Sequence, residues 1–586
     1  MNRPVRDHRM RVSSAPMLFA TASLCLSAAL LFPASASAQT PQRIQPSSKI
    51  ALKKFVDAAN QLPPEVKAHL SRGMQNYLRF ANAAVNAPDS PSGNVGLAVA
   101  PQTFSTASTT TATATAQASV TADPNLIQVS SLKLDPLKEG YTQNTTSSAW
   151  CGNSVVSGYE DTGALFRTDP SLAGGVPISM DGVSFSTNSG KTFTDLGFLN
   201  PGTDPNNALV GDPVVTCTSS THFQYVSILN AIGPDGINPI IGPSISFSTD
   251  AGKTWSAPQQ ILALDGGTEL ADKPWLAVDP FNPRRMYLTY THVVFLGCTN
   301  VELVRSTDAG KTWSAPVAIN SDCSNPNIVM DTGSNVVVSP GGKVYVAYES
   351  FPAPPAGTSF GKTAIYFARS LSEGASFLKP IKIADVVPGG DGVYLTGPIL
   401  ADDYPQLAVD RTTGPSRGTI YLTWPDGRNR ILPRNNAPSG TYAYPDIFVA
   451  KSINMGLSFR VLGAISPTPK TFPPTSGRDQ FLPTIAVDND AEVAVCYYDR
   501  RNDPANLRVA HYCSLSTNQG KTWTDTALSP LDFVPTPNPD PLNPGGTGSF
   551  SEYDALASDF LLRADGFFAS FMIEQNGKQS VVAKKF

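Results

Sequence analysis

Residues 248–258 read STDAGKTWSAP, and residues 306–316 read STDAGKTWSAP again, letter for letter. Looser copies stand at STNSGKTF (186–193), SLSEGASF (370–377), SINMGLSF (452–459) and STNQGKTW (516–523), so successive copies start 62, 58, 64, 82 and 64 residues apart. Two further elements keep step with them. One is a short apolar run ending in Asp: PWLAVDP (274–280), PNIVMD (326–331), PQLAVD (405–410) and PTIAVD (483–488). The other alternates apolar and polar residues: MYLTYT (286–291), VYVAYE (344–349), IYLTWPD (420–426) and VAVCYYD (493–499). Alternation at period two is the pattern of a strand with one face in a core. Four short strands repeated every sixty or so residues predict the blades of a β-propeller.

In the third repeat the strands read as WLAVD, MYLTYT, VELVRS and a last one near PVAIN. The tail supplies ALASDF, GFFASFM and QSVVAKKF, three strands without the motif, and NLIQVSS (125–131) lies at the other end of the domain. Pairing the two ends would remove the exposed edges of the ring. The fold class expected is all-β, a propeller of about seven four-stranded blades over 123–586, with six as the alternative if the N-terminal strand lies elsewhere.

The rest of the chain reads differently. Four arginines, an apolar run MLFATASLCLSAALLF (17–32) and Ala36-Ser37-Ala38 have the form of a signal peptide over 1–38. Residues 39–85 carry apolar residues at helical spacing on either side of Pro63-Pro64, which predicts a small helical segment. The Ser/Thr/Ala-rich stretch 86–122 reads as a linker. With 43 basic against 47 acidic residues in 586, nothing suggests a nucleic-acid partner, and no later segment is apolar enough to span a membrane. The expected location is secreted or periplasmic, where the six cysteines left after signal removal can pair as Cys298–Cys323, Cys496–Cys513 and Cys151–Cys217.

The repeated S-x-D-x-G-x-[TS]-[WF] resembles the Asp-box, or BNR repeat, of the sialidase superfamily. Its Asp and Gly suit a tight turn between the third and fourth strands, and its Trp can bury beneath. Asn188, Asn454 and Asn518 replace the Asp, which a turn tolerates and a catalytic carboxylate does not. If these turns share one face, the opposite face holds the lead-ins to the first strands and the loops from second to third strands. There stand Asp212, Asp272, Asp402, Asp403, Tyr404, Asp479, Tyr553 and Asp554, with Glu160, His292, Glu349, Asp426-Gly427-Arg428-Asn429 and Asp499-Arg500-Arg501-Asn502-Asp503. A long loop (427–446) rises over the same face. No cofactor is implied, though hard oxygen ligands would suit a structural calcium.

The resemblance implies an exported glycan-acting enzyme. Tyr553 takes the place of the family's nucleophile, Glu349 that of its partner base and Asp403 that of the acid/base, with Arg428, Arg478 and Arg501 as clamp for a substrate carboxylate. Asp426 and Asp499 complete the candidate catalytic set, and Arg500, Asp272 and Tyr404 the substrate-binding one. The alternative is a non-enzymatic propeller that binds a glycan, or a protein partner, through the same face.

Overall fold

The computed structural model describes residues 46–86, 126–130, 143–163, 178–204, 206–295, 298–320, 329–352, 363–390, 394–397, 399–400, 402–434, 440–465, 477–529, 532–535, 550–575 and 578–586. The stretch that reads as a signal peptide, all but the first residue of the one that reads as a linker, and Cys323 lie outside them.

Strand pairing among the described residues gives four four-stranded sheets, one of seven strands, one of eight and a two-stranded ribbon, from which seven groups are taken here in chain order as blades 1 to 7. Their first strands are Gln143–Cys151, Val214–Cys217, Glu269–Val278, Val329–Val338, Gln406–Val409, Gln480–Val487 and Ala555–Ala557. Each neighbours the next, and the last returns to the first, so the sheets stand around a closed ring. The fold is a β-propeller. Within a blade every pairing is antiparallel; blade 3, for example, runs Glu269–Val278, Met286–Val294, Cys298–Ser306 and Val317–Ala318. Blade 7 takes three strands from the tail and its fourth, Ile127–Gln128, from the other end of the domain, with Ile127 opposite Ala583 and Gln128 opposite Val582. This is the closure that the two termini predicted.

The repeated turns are built from short-range bonds. Ser248 Oγ donates to Asp250 Oδ1 at 2.9 Å and accepts from Gly252 N at 2.9 Å. Asp250 accepts from Thr254 N and Thr254 Oγ1 at 2.9 and 2.7 Å, and the Trp255 indole donates to the Gly252 carbonyl. The Ser306–Trp313 copy repeats every one of these bonds. Asn188 and Asn518 accept in the same place with an amide oxygen. Gly252 has φ +86°, and a Cβ there would stand 2.5 Å from Val156 Cγ2 of blade 1. The turn therefore serves two ends: it reverses the chain and abuts the preceding blade.

Two disulfides are formed among the described residues. Cys151–Cys217 joins the first strands of blades 1 and 2, and Cys496–Cys513 crosses blade 6. The helical segment comprises α1 (Pro46–Ala59), α2 (Pro64–Ala68) and α3 (Arg72–Asn86). It is docked on the propeller. Phe55, Leu62, Leu70, Met74 and Tyr77 pack with Val210, Ile228, Leu270, Val293 and Met330 in one buried cluster. Lys54 Nζ reaches Asn238, in the loop between the second and third strands of blade 2. The segment thus lies on the face away from the repeated turns.

Candidate functional site

The first strands carry a recurring irregularity where they enter the ring. Thr145, Asp212, Lys273, Gly333 and Leu482 have positive φ, and four of them lie in β-bulges. A bulge breaks the alternation of a strand and re-aims its side chains. At Asp272-Lys273 the effect is plain. In a regular strand these neighbours would point to opposite faces, yet both meet the helical segment: Asp272 Oδ2 accepts from Ser71 N at 2.8 Å, and Lys273 Nζ donates to the His69 carbonyl at 2.6 Å.

Around this bulge gather groups from most of the ring. Lys273 lies in the field of Asp212, Asp272, Asp402 and Glu552, and Asp272 Oδ2 stands 3.2 Å from its ammonium. Arg72, from the start of α3, lies among Glu160, Asp402, Tyr404 and Glu552; its guanidinium is 3.6 Å from Asp402 Oδ2. Glu349 faces Asp402 and Lys273, and Asp403 faces Glu349 and Asp402. Seven carboxyl groups from blades 1, 2, 3, 4, 5 and 7 therefore share a buried mouth with two cations.

That excess cannot all ionise. Burial, with the Asp402 charge, pushes the Glu349 carboxyl up to about 8. Burial also lifts Glu552 to about 7, against the pull of Lys273 and Arg72. Asp212 and Asp403 are held well above the ordinary carboxylate range, first by burial and then by Asp272 and Glu349 respectively. Burial opposes the Lys273 charge, but the surrounding carboxylates outweigh it and keep the ammonium protonated. The mouth thus mixes proton-holding carboxyls with charged groups at neutral pH, which is the material of acid–base chemistry.

Of the residues singled out from sequence, Asp272, Glu349, Asp403, Tyr404 and Tyr553 come together here. Tyr404 packs over Gly333, with the Lys273 ammonium 5.5 Å from its ring centre. Tyr553 is buried edge-on against Trp275, and its hydroxyl donates to the Pro213 carbonyl at 3.2 Å. Burial and the charges of Asp212, Glu552 and Glu160 drive its phenol pKa well up. An attacking phenolate needs the opposite. The charged groups that face Glu349 are Asp402 and Lys273.

Each of the four arginines has bonds of its own. Arg428 is bound to Asp426, two residues before it, and to the Asp385 carbonyl. Arg501 lies 2.6 Å from Asp499 and 2.7 Å from Asp525, both of its own blade. Arg500 is fully buried against Asp479 at 2.9 Å. Arg478 donates to the Gly477 carbonyl. Asp426 and Asp499 are accordingly ion-pair partners of these arginines. The long loop folds into a ribbon, Ile431–Pro433 with Thr441–Ala443, pinned by the Tyr442 hydroxyl to Asp479 Oδ2 at 2.8 Å; residues 435–439 of it lie outside the described set. His292 is tied to Glu269 and Glu302 on blade 3. Among the described residues no three His, Cys, Asp or Glu side chains gather as a metal site.

Three members of the mouth, Lys273, Glu552 and Arg72, were not singled out from the sequence. Nothing local announced the bulge at Lys273, and Glu552 stands beside the more conspicuous Tyr553. Arg72 lies in a segment that reads only as an amphipathic helix.

No known family model matches the chain, and no curated protein does. Among solved structures it is similar to a mutant of the α-L-arabinofuranosidase Arb93A from Fusarium graminearum in complex with an iminosugar inhibitor, with a TM-score of 0.41, 14% identity, and 67% of this chain and 97% of that one covered. It is similar to a polysaccharide lyase of family PL25, an ulvan lyase, at a TM-score of 0.44 and 10% identity over 76% and 94% of the two chains. It is also similar to a Hadza microbial sialidase, at 0.38 and 13% over 69% and 73%. At such identities and scores these likenesses assign no chemistry to the residues of this chain.

Proposed function

We propose that the protein is an exported, glycan-acting propeller whose working site is the acidic mouth on the face away from the repeated turns. The observation that carries this reading is the buried cluster of Glu349, Asp402 and Asp403, in which Glu349 and Asp403 are both pushed up toward holding a proton. Glycosidic cleavage by general acid and base uses a pair of such carboxyl groups. Glu349 is proposed as the acid, with Asp402 as its base or nucleophile. The Tyr553 nucleophile and arginine clamp of sialidases are not part of this proposal, because the phenol is driven up and the guanidinium groups are claimed elsewhere. The two disulfides and the signal-like start support export.

The test is turnover of a polysaccharide panel by the full chain. Glu349→Gln should abolish cleavage, whereas Tyr553→Phe should leave it within a few-fold; the reverse pattern would restore the sialidase mechanism. The second reading, a binding propeller without catalysis, is favoured by one observation: the helical segment covers the mouth. Retention on a polysaccharide without turnover would establish it.

A further inference from the structure

The part of the chain lying over the mouth is basic. Residues 46–86 hold six Lys and Arg against two Asp and Glu, whereas the whole chain has a net charge of −4. The contact is specific at the turn into α3. Ser71 N and Arg72 N donate to Asp272 and Glu552, at 2.8 and 2.7 Å, so two backbone N–H groups at a helix start are held by carboxylates from blade 3 and the lead-in to blade 7. Gly73 permits this approach, since a Cβ there would stand 2.1 Å from the Val210 carbonyl oxygen. The apolar side of the segment is seated on blades 2 to 4.

The Arg72 side chain fits less closely than its backbone. Its Nη2 is buried without a hydrogen-bond partner and lies 3.6 Å from Asp402, beyond hydrogen-bond length. Two groups that face it are in the same condition: Glu552 Oε2 and the Tyr404 hydroxyl are buried and unpartnered. Buried polar atoms are ordinarily paired, and leaving them unpaired is costly. A group with more donors than one arginine places here would satisfy them better. Arg72 therefore has the character of a stand-in: its charge is right and its hydrogen bonding incomplete.

We infer that the mouth contains a cation subsite formed by Asp402, Tyr404 and Glu552, that Arg72 fills it as a built-in occupant, and that the glycan able to displace it carries protonated amines. The last step rests on the glycan-acting reading above; the cation subsite does not. A uronic or sialic acid would bring a further carboxyl group to a mouth where burial and neighbouring carboxyls already hold Glu349, Glu552, Asp212 and Asp403 back from ionising. A polymer of unacetylated amino sugar brings three N–H donors and one charge per residue, which matches the unpaired acceptors.

The experiment uses the full chain. Arg72→Ala should bind ethylguanidinium and raise its thermal midpoint by several degrees at millimolar ligand, relative to sodium chloride at equal ionic strength. The wild type and Arg72→Lys should show less than a third of that shift. Equal shifts in all three, or none in Arg72→Ala, overturn the cation subsite. If Arg72→Ala does not fold, hydrogen exchange on the wild type serves instead. A glucosamine oligosaccharide should speed exchange in 66–86 at least tenfold, while its N-acetylated form and a glucuronate oligosaccharide leave it unchanged. Unchanged exchange with all three overturns the proposed substrate class. Ethylguanidinium rescue with no glycan binding would sink the glycan-acting reading and leave the subsite standing.

Discussion

The two faces of the propeller are made by the same antiparallel topology and solve opposite problems. On the turn face, the Ser and the Asp or Asn of each repeat find their side-chain partners within four residues, the Asp or Asn close to water. Asp308 accepts from Lys311 N, Thr312 N, Thr312 Oγ1 and Ser306 Oγ, all within the same turn. On the mouth face, partners come from distant parts of the chain and are buried: Arg72 N is bonded to a carboxylate 480 residues away. Local satisfaction can be copied, so the turns repeat. Satisfaction across the ring depends on which blade stands opposite, so no two blades present the same residues to the mouth.

That contrast predicts unequal sensitivity to substitution. The largest loss should come from Lys273→Met. It leaves Asp272 and its buried neighbours without the propeller's own cation, and breaking a buried pair on one side costs about 3–5 kcal/mol. Thermal or urea unfolding should show it, and a change under 1 kcal/mol would mean that the carboxyls simply take up protons. On the turn face, Gly252→Val should be next. It forces a β-branched residue to φ +86° and drives a Cβ to within 2.5 Å of Val156 and 3.0 Å of Phe185. Strain and overpacking together amount to about 2–4 kcal/mol. Gly418→Ala separates the two terms, because Gly418 has φ +82° and nothing within 4 Å. Only the conformational part, about 1 kcal/mol, should appear there.

What could be read from the sequence follows the same division. The repeated turns, the strand elements and the closure by both termini were legible, because each depends on neighbours in the chain. Asp272, Glu349, Asp403, Tyr404 and Tyr553 were placed on the right face by topology alone. The ion pairs of two arginines also lay within reach of the sequence: Asp426 and Asp499 stand two residues before Arg428 and Arg501 and bind them. Side chains that face each other across so short a loop satisfy one another first. Arg72 was out of reach, since nothing in an amphipathic helix says which carboxylates it will meet.

The pH response should also distinguish the faces. Glu349 is raised from about 4.3 when unfolded to about 8 in the fold. A carboxyl raised in this way contributes stability that is complete below the unfolded pKa and is lost as pH rises through the folded one. Glu552, Asp212 and Asp403 act in the same direction. The thermal midpoint should therefore fall from pH 6 to pH 9. Glu349→Gln, which never ionises, should reduce that fall by roughly 2 kcal/mol. An unchanged slope would show that Glu349 is ionised in the fold.

The smallest effect should come from the acidic residue of a repeated turn. Asp308 lies well below the usual carboxylate range, chiefly through its bond from Thr312 Oγ1, then through Thr312 N and Ser306 Oγ. Its stabilisation is present above the unfolded pKa and is lost as pH falls through the folded value, the reverse of Glu349. Because the group is exposed, water screens it and little energy is at stake. Asp308→Asn should leave the midpoint at pH 7 within a degree or two, since Asn188, Asn454 and Asn518 already fill the same position in other turns. It should remove only a slight decline below pH 4. A loss of several degrees at pH 7 would mean that the carboxylate charge, and not merely an acceptor oxygen, holds the turn; the two faces would then differ less in their chemistry than their burial suggests.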